Sequence, residues 1–363
     1  CNPLRAYPDT RAYEKGFKNL DLLVVNDIVM SETARLAHYV LPCRTFYESW
    51  DATFFPWTYP EVFFQLRRPV VDPPSKCLES SQILTRLADQ MGLIPGIPAD
   101  LQDAAEGDRL TFGVKLMEYG GQEPEALSRM PFVLAKTLGR VWDSAAKSGL
   151  WGVLMTAPKA FRKNAARAGF EPGLDQGDRI FQTLLDKPEG IWIGKADVGN
   201  PMEGIKTPSG KIEVFIPELE DGVLALTPEK DGLALRIPDD FPLILNAGRH
   251  MKYNANTLMR NAEWNLGKRA CTVAVNPKDA DNQGLVDGQM VKVTTKAGSA
   301  TGELEVSKQI RQGTVLIPHG FGLIYDDQVY GINANYLTKN IHRDPLGTPL
   351  HRFIPCRIDA ADL

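Results

Sequence analysis

The sequence lacks the patterns expected of a self-contained metal centre, a membrane span or a nucleic-acid-binding surface. Its five cysteines are at positions 1, 43, 77, 271 and 356, so no Cys-x-x-Cys pair is present. A zinc or iron–sulfur site made by this chain alone is therefore not expected, and the scattered cysteines predict reduced, buried thiols. No run of about 18 apolar residues occurs, so no membrane-spanning helix is predicted. With 41 basic and 45 acidic residues, the net charge of −4 disfavours a dedicated nucleic-acid binder.

Common catalytic motifs and processing signals are also missing. There is no Gly-x-Ser-x-Gly turn, no phosphate-binding loop ending in Gly-Lys-Ser/Thr, and no arguable Ser–His–Asp order. The sequence begins CNPLRAYPDT, without an initiator methionine and without a charged segment followed by an apolar run. We therefore expect a piece of a longer protein, with any targeting signal on the upstream part.

Residues 1–95 alternate strand and helix patterns, which is typical of a doubly wound α/β sheet. The apolar run Leu20–Val25 predicts a strand buried in a parallel sheet, ending at Asn26 and Asp27. Doubly wound sheets bind ligands at the carboxyl ends of their strands, where an Asp can accept two hydrogen bonds from an aminopurine or a ribose. The alternative role for Asp27 is to cap the following helix.

The next segments continue this alternation. Ser31 is placed to cap a helix with Glu32 in its first turn, where the helix dipole favours an acidic residue. A short buried strand ended by Pro42 follows. Residues 80–92 predict an amphipathic helix with Gly92 as its C-cap and an apolar face made of Ile83, Leu84 and Leu87.

Residues 96–240 are less regular and predict a helical insertion and a linker. The stretch 124–170 has helical spacing and is rich in Lys and Arg. Such a basic amphipathic region could lie on a membrane or a partner, and the alternative is an ordinary solvated helical face. The segment 207–215, TPSGKIEVF, predicts a turn feeding an alternating strand, and 216–240 predicts a linker.

Residues 241–363 predict a compact β-barrel made of short strands, glycine turns and one small helix. The strand FPLILNAG ends in Gly248, and Asn276 is placed to cap a helix that ends near Gly284. The segment VDGQMVKVTTKAGSATGELEV predicts an antiparallel ribbon, and TVLIPHGFG predicts a further strand.

Two polar segments in this part have the chemistry of a ligand site. The small-residue strand end at Ala247 and Gly248 lets backbone amides approach an anion. The donors that follow suit a phosphate or a heterocycle, and they are Arg249, His250, Lys252, Asn254, Asn256, Thr257 and Arg260. An exposed polar loop is the alternative. Further along, Asn333, Asn335, Thr338 and Arg352 surround a DPLGTP turn and suit a purine or pterin edge.

Taken together, these segments resemble the molybdopterin oxidoreductase superfamily, which includes dimethyl sulfoxide reductase and formate dehydrogenases. The resemblance covers residues 1–92 and about 186–363, in the family's order. It rests on CNPLRAYPDT, LLVVNDIVMSETARLAHYVLP, TPSGKIEVF, NAGRHMKYNANT, VNPKDADNQGLVDGQMVKVTT, IRQGTVLIPHGFG and NANYLTKNIHRDPLGTPLHRF.

The resemblance implies a mixed α/β and β fold that binds molybdopterin guanine dinucleotide with molybdenum or tungsten. Residues 1–95 would be the C-terminal half of a Rossmann-like domain, 96–240 a helical insertion and linker, and 241–363 a double-psi β-barrel. Asn26 and Asp27 would contact a guanosine.

The same resemblance assigns the remaining ligand contacts. Residues 247–257 would wrap a pyrophosphate and pterin, while Asn335 and Arg352 would contact a pterin and its phosphate. The family often has an Asp that binds guanine near Ser80, where this chain has two serines, so that contact is in doubt.

The implied function is that of the C-terminal part of a molybdenum- or tungsten-pterin oxidoreductase acting on a small-molecule substrate. The metal ligand and a 4Fe–4S cluster would lie on missing N-terminal catalytic domains, and an iron–sulfur electron-transfer subunit would be a partner. We expect this fragment alone to be inactive, with no nucleic-acid partner. We expect a cytoplasmic location, leaving the periplasm and membrane contact open. The alternatives are a non-catalytic structural subunit and a separate cofactor-binding subunit of a split enzyme.

Overall fold

The computed structural model describes residues 2–53, 60–74, 77–195, 201–248, 257–341, 343–344, 346–349 and 352–361. Its internal contacts divide the chain into two compact units. The first, which we call the barrel unit, contains Cys1–Val40 and Glu213–Leu363, and the second, the helical unit, contains Leu41–Ile212. The boundaries at 95 and 240, drawn from sequence patterns, stay predictions.

Short helices and strands alternate along the chain. The helices are α1 Pro3–Ala6, α2 Thr10–Lys18, α3 Ser80–Gln90, α4 Ala99–Ala105, α5 Arg109–Gln122, α6 Pro124–Ser128, α7 Met130–Lys136, α8 Leu138–Val141, α9 Ala145–Met155, α10 Lys159–Arg167, α11 Gln176–Asp186, α12 Pro217–Leu224, α13 Pro228–Ala234 and α14 Pro277–Asn282. The strands are β1 Val24–Asp27, β2 Tyr39–Pro42, β3 Asp51–Ala52, β4 Glu61–Phe64, β5 Leu66–Arg67, β6 Ile191–Lys195, β7 Leu243–Gly248, β8 Val273–Val275, β9 Met290–Thr295, β10 Gly298–Val306, β11 Thr314–Pro318, β12 Leu323–Tyr325, β13 Gln328–Tyr330 and β14 Ile354–Ala360.

Among the described residues, six strands close into a barrel in the order β10-β8-β11-β7-β14-β9. The sheet is mixed, because β7 runs parallel to β11 and β8 runs parallel to β10 while the other neighbours are antiparallel. The core is made by the inward side chains of these strands, including the fully buried Leu245, Val293, Leu304 and Val315. The predicted β-barrel is therefore confirmed.

The local signals predicted for this unit are also confirmed. The side chain of Asn276 accepts a hydrogen bond from the backbone N–H of Lys278 at 3.0 Å and so caps α14. Gly284 has a φ of +63°, as a residue that ends a helix often has. The ribbon forms as predicted, with β9 and β10 antiparallel and Thr295 opposite Gly298.

The first 42 residues depart from two predictions. The strand is Val24–Asp27 rather than Leu20–Val25, and Leu22 and Val24 are 60% and 43% exposed rather than buried. In the described residues β1 pairs with β2 alone, and Val25 is the one apolar side chain of the strand that is buried.

The predicted helix after Ser31 is also wrong in extent. The hydroxyl of Ser31 accepts the Ala34 backbone N–H at 3.3 Å, but only a 3₁₀ turn at Ala34–Leu36 follows. The backbone N–H of His38 then donates to the carbonyl of Leu23 at 2.9 Å, so sheet pairing draws the chain into β2. The strand predicted to end at Pro42 forms as β2, but its four residues are exposed or half-buried rather than buried as predicted.

The helical unit has its own apolar core around Phe112, Trp151 and Phe181. Helix α3 matches the prediction for 80–92, but its buried face is Ile83, Thr85 and Ala88, whereas Leu84 and Leu87 are about half exposed. Glu79 is its N-cap and forms a capping box with Gln82. Across the part of the chain that the structure describes, no helix is long and apolar enough to cross a membrane.

The predicted strand at 207–215 does not form. The turn is present, since the backbone N–H of Gly210 donates to the Thr207 carbonyl at 3.0 Å, but the residues after it pair with no described strand. An alternating pattern becomes a strand only where a neighbour accepts its backbone hydrogen bonds. The predicted linker instead contains the short helices α12 and α13, neither of which has a buried residue.

Candidate cofactor-binding site

The candidate site begins where β7 ends, at Ala247 and Gly248. Gly248 pairs with Pro318 of β11, and its carbonyl accepts the backbone N–H of His319 at 2.7 Å. A Cβ atom on Gly248 would lie 2.4 Å from Cδ1 of Leu316, so a larger residue there would require the Leu316 side chain to move. The strand end is thus rigidly held, and Ala247 is buried.

The loop that follows carries most of the predicted donors. Arg249, His250, Asn254 and Asn256 lie outside the described residues, which resume at Thr257. Thr257 has a φ of +73°, a left-handed conformation that costs an L-residue roughly 1–2 kcal/mol. Strain of this kind in a non-glycine residue is concentrated at ligand-holding loops. The backbone at Thr257 therefore fits a functional loop.

Strand register brings Arg352 to the same end of β7. In the antiparallel pair of β14 and β7, Ile354 lies opposite Leu245, and the Phe353 backbone N–H donates to Oδ1 of Asn246 at 3.2 Å. Arg352 precedes these residues and so lies at the carboxyl end of β7, where it is exposed. An exposed guanidinium beside a strand end can bind a phosphate with two parallel hydrogen bonds.

Asn335 is buried and already hydrogen-bonded within the protein. Its side-chain amide donates to the carbonyl of Arg5 at 2.9 Å, and its backbone N–H donates to Oδ1 of Asn333 at 3.1 Å. Asn333 in turn donates to the carbonyl of Leu4 and to the hydroxyl of Thr10. These amides hold the first ten residues against the barrel, a role that no local sequence pattern indicated.

Asn26 and Asp27 lie at the end of β1, as predicted. Asn26 is exposed, but the Asp27 carboxylate accepts hydrogen bonds from the Ile28 backbone N–H at 2.8 Å and the Ser31 hydroxyl at 2.6 Å. The carboxylate therefore stabilises the turn after the strand, which is close to the alternative considered for it. Its contact with a guanosine stays a prediction.

Arg260 differs most from its predicted role as a ligand donor. Its guanidinium forms a two-point ion pair with Glu32, at 2.8 Å and 3.2 Å, and the two side chains are only 6% and 3% exposed. The carboxylate also accepts hydrogen bonds from the side chain of Asn2 at 2.5 Å and the backbone N–H of Ile324 at 2.7 Å. Arg260 is thus used to hold the unit together. The sequence had indicated only a helix-dipole role for Glu32.

The environment of Glu32 keeps its carboxylate ionised. Burial by itself would raise the pKa of Glu32, but the hydrogen bonds from Arg260 and Ile324 and the charge of Arg260 lower it below the ordinary value of 4.5. The Nε atom of Arg260 is buried and has no hydrogen-bond partner among the described residues. Both side chains are therefore charged and almost fully shielded from solvent, and each is the counterion of the other.

Among the described residues, strand register brings two predicted parts of the site together. The exposed Arg352 lies at the same end of β7 as Ala247 and Gly248, where a guanidinium suits a phosphate-containing molecule. Asp27 and Asn335 make hydrogen bonds inside the protein, and their contacts with a ligand stay predictions. Within the described ranges, no group of three or more His, Cys, Asp or Glu side chains is placed to hold a metal ion.

Comparisons with known proteins identify the class. The model of the molybdopterin oxidoreductase family matches residues 1–90, and that of the molydopterin dinucleotide binding domain matches residues 243–349. The two matches together cover more than half of the chain, in the order expected from its motifs. The chain belongs to the molybdopterin oxidoreductase superfamily, and its cofactor class is a molybdopterin.

Individual relatives are more distant. The chain is 26% identical to "F420-dependent formate dehydrogenase subunit alpha" of Methanocaldococcus jannaschii, over 88% of this chain and 37% of that protein. It is 25% identical to trimethylamine-N-oxide reductase of Haemophilus influenzae, over 93% of this chain and 37% of that protein. Its fold is similar to acetylene hydratase from Pelobacter acetylenicus, with a TM-score of 0.63 and 20% identity over 99% of this chain and 43% of that one. The chain thus spans well under half the length of these proteins.

Proposed function

We propose that this chain is the C-terminal, cofactor-binding part of a molybdenum- or tungsten-pterin oxidoreductase. The match of residues 243–349 to the dinucleotide binding domain is the observation that carries this proposal. The exposed Arg352 at the end of β7 supports it, because a dinucleotide brings phosphates that need a cation. When bound, the metal–pterin group would supply the electron- or oxygen-atom-transfer chemistry.

The barrel unit would hold this cofactor along two segments. Arg352 and the loop of residues 247–257 would bind a pyrophosphate and pterin, and Asn335 would keep the adjoining backbone in place. Asn26 and Asp27 would lie near a guanosine. In this proposal residues 1–95 form the second half of a Rossmann-like domain and the barrel has double-psi topology.

Further polypeptide would cover the apolar surfaces of the barrel unit. Leu22 and Val24 at β1 are exposed, and so are nine large apolar side chains between Val214 and Ile237. Exposed apolar area on this scale marks an interaction surface. We propose that upstream catalytic domains carrying the metal ligand and a 4Fe–4S cluster pack here, and that an iron–sulfur subunit receives or delivers electrons.

The substrate is left unassigned in this proposal. The relatives are named for formate, trimethylamine N-oxide and acetylene, and the last of these is a hydratase. A shared fold does not fix the reaction, because specificity depends on residues at the substrate itself.

The test is cofactor retention by the longer protein, purified from a host that makes molybdopterin. Losing a charge-assisted hydrogen bond costs about 1.5–3 kcal/mol, or roughly tenfold to hundredfold in affinity. We therefore expect Arg352→Ala to lower the molybdenum or tungsten content and the released guanine nucleotide, and we expect the same of Arg249→Ala. Arg311→Ala is the matched control, since Arg311 is exposed just before β11 begins at Thr314, at the opposite end of the strand pair.

Two outcomes would count against the proposal. Full metal and nucleotide content in Arg352→Ala would remove Arg352 from the site. A matured wild-type protein with neither metal nor pterin would favour a non-catalytic structural subunit.

A further inference from the structure

The helical unit contains an apolar cavity of about 820 Å³ that no family match covers. Helices α5, α7 and α9 provide most of its wall, including Leu116, Leu134, Trp151 and Met155. Protein interiors are normally packed to crystal-like density with few voids larger than a water molecule. A cavity of this size falls in the range of about 300–1,000 Å³ that small-molecule sites occupy.

Small residues create the space. Gly113 and Gly149 both line the cavity, and a Cβ atom on Gly149 would meet no heavy atom within 4 Å. The rim is apolar, since Met117, Leu127 and Leu174 are 66%, 58% and 73% exposed. An open mouth surrounded by exposed hydrocarbon is suited to a ligand that enters from solvent.

The polar groups of the wall are satisfied by protein partners. The indole N–H of Trp151 donates to Asp178 at 2.8 Å, and the Thr156 hydroxyl donates to the Gly152 carbonyl at 2.8 Å. Asp175 at the rim is paired with Arg179 at 3.2 Å. The interior of the cavity therefore provides hydrocarbon contacts and, among its described residues, has no polar group that needs a hydrogen bond from a ligand. Such a lining favours the aliphatic part of a ligand.

One basic side chain, that of Arg162, lines the cavity, and the sequence around it is basic. Residues 144–170 contain five basic residues and no acidic residue, in a chain of net charge −4. Arg162 of α10 lines the cavity and donates Nε to the Ala157 carbonyl at 3.1 Å and Nη2 to the Met155 carbonyl. A guanidinium has five N–H donors, so others remain for a ligand. Lys159 and Lys163 lie exposed on the same helix.

We propose that this cavity binds single-chain aliphatic carboxylates, with the hydrocarbon chain between α5 and α9 and the carboxylate at Arg162. The apolar wall matches the hydrocarbon chain, and the Arg162 guanidinium matches the carboxylate, while the other charged lining residue, Asp175, is paired with Arg179. This site is independent of the proposed cofactor site, because every lining residue belongs to the helical unit.

The first experiment titrates the chain with dodecanoate by isothermal calorimetry. The affinity should rise about fourfold per added methylene from octanoate to dodecanoate. Gly149→Leu should abolish binding, because the new side chain fills open space inside the cavity. Gly121→Leu is the matched control, since Gly121 is an exposed glycine of α5 whose Cβ would also meet no heavy atom within 4 Å.

The second experiment tests the carboxylate end. Arg162→Gln should weaken dodecanoate about tenfold or more, because a charge-assisted hydrogen bond is lost. The same variant should leave the affinity for 1-dodecanol unchanged. If Arg162 only supported the end of α9, both ligands would weaken equally. If Gly149→Leu does not fold, the titrations of Arg162→Gln with dodecanoate and with 1-dodecanol are sufficient to test the proposal.

Several results would overturn the proposal. One is failure of the wild-type chain to bind dodecanoate, and another is undiminished affinity for dodecanoate in a folded Gly149→Leu variant. Equal losses of affinity in Gly149→Leu and Gly121→Leu would have the same meaning. Two other results would assign the cavity to a different occupant. Association with phosphatidylglycerol vesicles alone would indicate a membrane surface, and ligand-free dimerisation abolished by Gly149→Leu would indicate a second copy of the chain.

Discussion

Removing the charge of Glu32 should destabilise the barrel unit strongly. The Glu32→Gln variant keeps the shape of the side chain but leaves Arg260 charged and buried at 6% exposure. Breaking a buried pair from one side typically costs about 3–5 kcal/mol, because the remaining charge has lost its counterion. The Gln oxygen can still accept the hydrogen bonds from Arg260 and Ile324, but its amide nitrogen would face the donors of Asn2 and Arg260, so we expect a loss of about 3–4 kcal/mol.

Urea unfolding measures this loss, and hydrogen exchange of the peptides around Ile324 locates it in the barrel unit. The control is Asp359→Asn, which breaks the exposed pair of Asp359 and Arg357 at 3.1 Å in the same unit. Both of those side chains are about half exposed, and exposed pairs contribute about 0–1 kcal/mol. A similar effect of the two substitutions would refute the argument from burial.

The ion pair of Glu32 and Arg260 predicts that the free energy of unfolding depends on pH. The pKa of Glu32 in the folded protein is lower than its ordinary value of 4.5, so the unfolded state binds the proton more readily. The stability contributed by this carboxylate is therefore fully present above pH 4.5 and is lost as the pH falls through the folded pKa. The difference in unfolding free energy between wild type and Glu32→Gln should narrow over that acidic range. A difference that stays constant would show that the lost charge is not the cause.

A double variant separates the pair from its surroundings. Replacing both members, as in Glu32→Leu with Arg260→Met, removes the two charges together and leaves neither unpaired. Its stability should exceed the value obtained by adding the two single losses. Strict additivity would mean that the two side chains do not interact energetically in solution.

Two further predictions concern the barrel. Burial raises the pKa of Cys356 to about 12, so this thiol should resist iodoacetamide at about pH 8 while the partly exposed Cys77 is alkylated, as mass spectrometry of the native protein would show. Rapid labelling of Cys356 would contradict the burial described here. Gly248→Ala should cost no more than about 1 kcal/mol in urea unfolding, because the half-buried Leu316 side chain can move away from the new methyl group, and Leu316→Ala in the same chain should recover that loss.

Local patterns predicted the barrel because each of its elements is encoded by neighbouring residues. Alternating side chains indicated β9 and β10, the Asn276 cap indicated α14, and Gly284 ended that helix in a left-handed conformation. The strand predicted at 207–215 failed although its alternation was as regular. An alternating pattern favours a strand only where a neighbouring strand can pair with it, and no described strand lies beside these residues.

The polar interior could not be predicted in the same way. Glu32 and Arg260 are 228 residues apart, and nothing near either residue indicates its partner. Asn335 looked like a ligand contact because an amide suits a heterocycle equally well as it suits a backbone carbonyl. A sequence therefore shows that a donor exists, but the fold decides whether protein or ligand receives it.

The buried polar groups of the barrel unit explain how its two separately matched segments act together. Glu32 pairs with Arg260, and Asn333 and Asn335 bond to the backbone of the first ten residues. Hydrogen bonds are directional, so such contacts admit one geometry where apolar surfaces would tolerate several. If the barrel unit binds a dinucleotide as proposed, the residues that contact the phosphates and those that contact the guanosine lie on different segments. These two segments must then be held at a fixed distance from each other. The side chains that hold those segments then matter for affinity even though they never touch the ligand, and Glu32→Gln should weaken cofactor retention while Asp359→Asn should not.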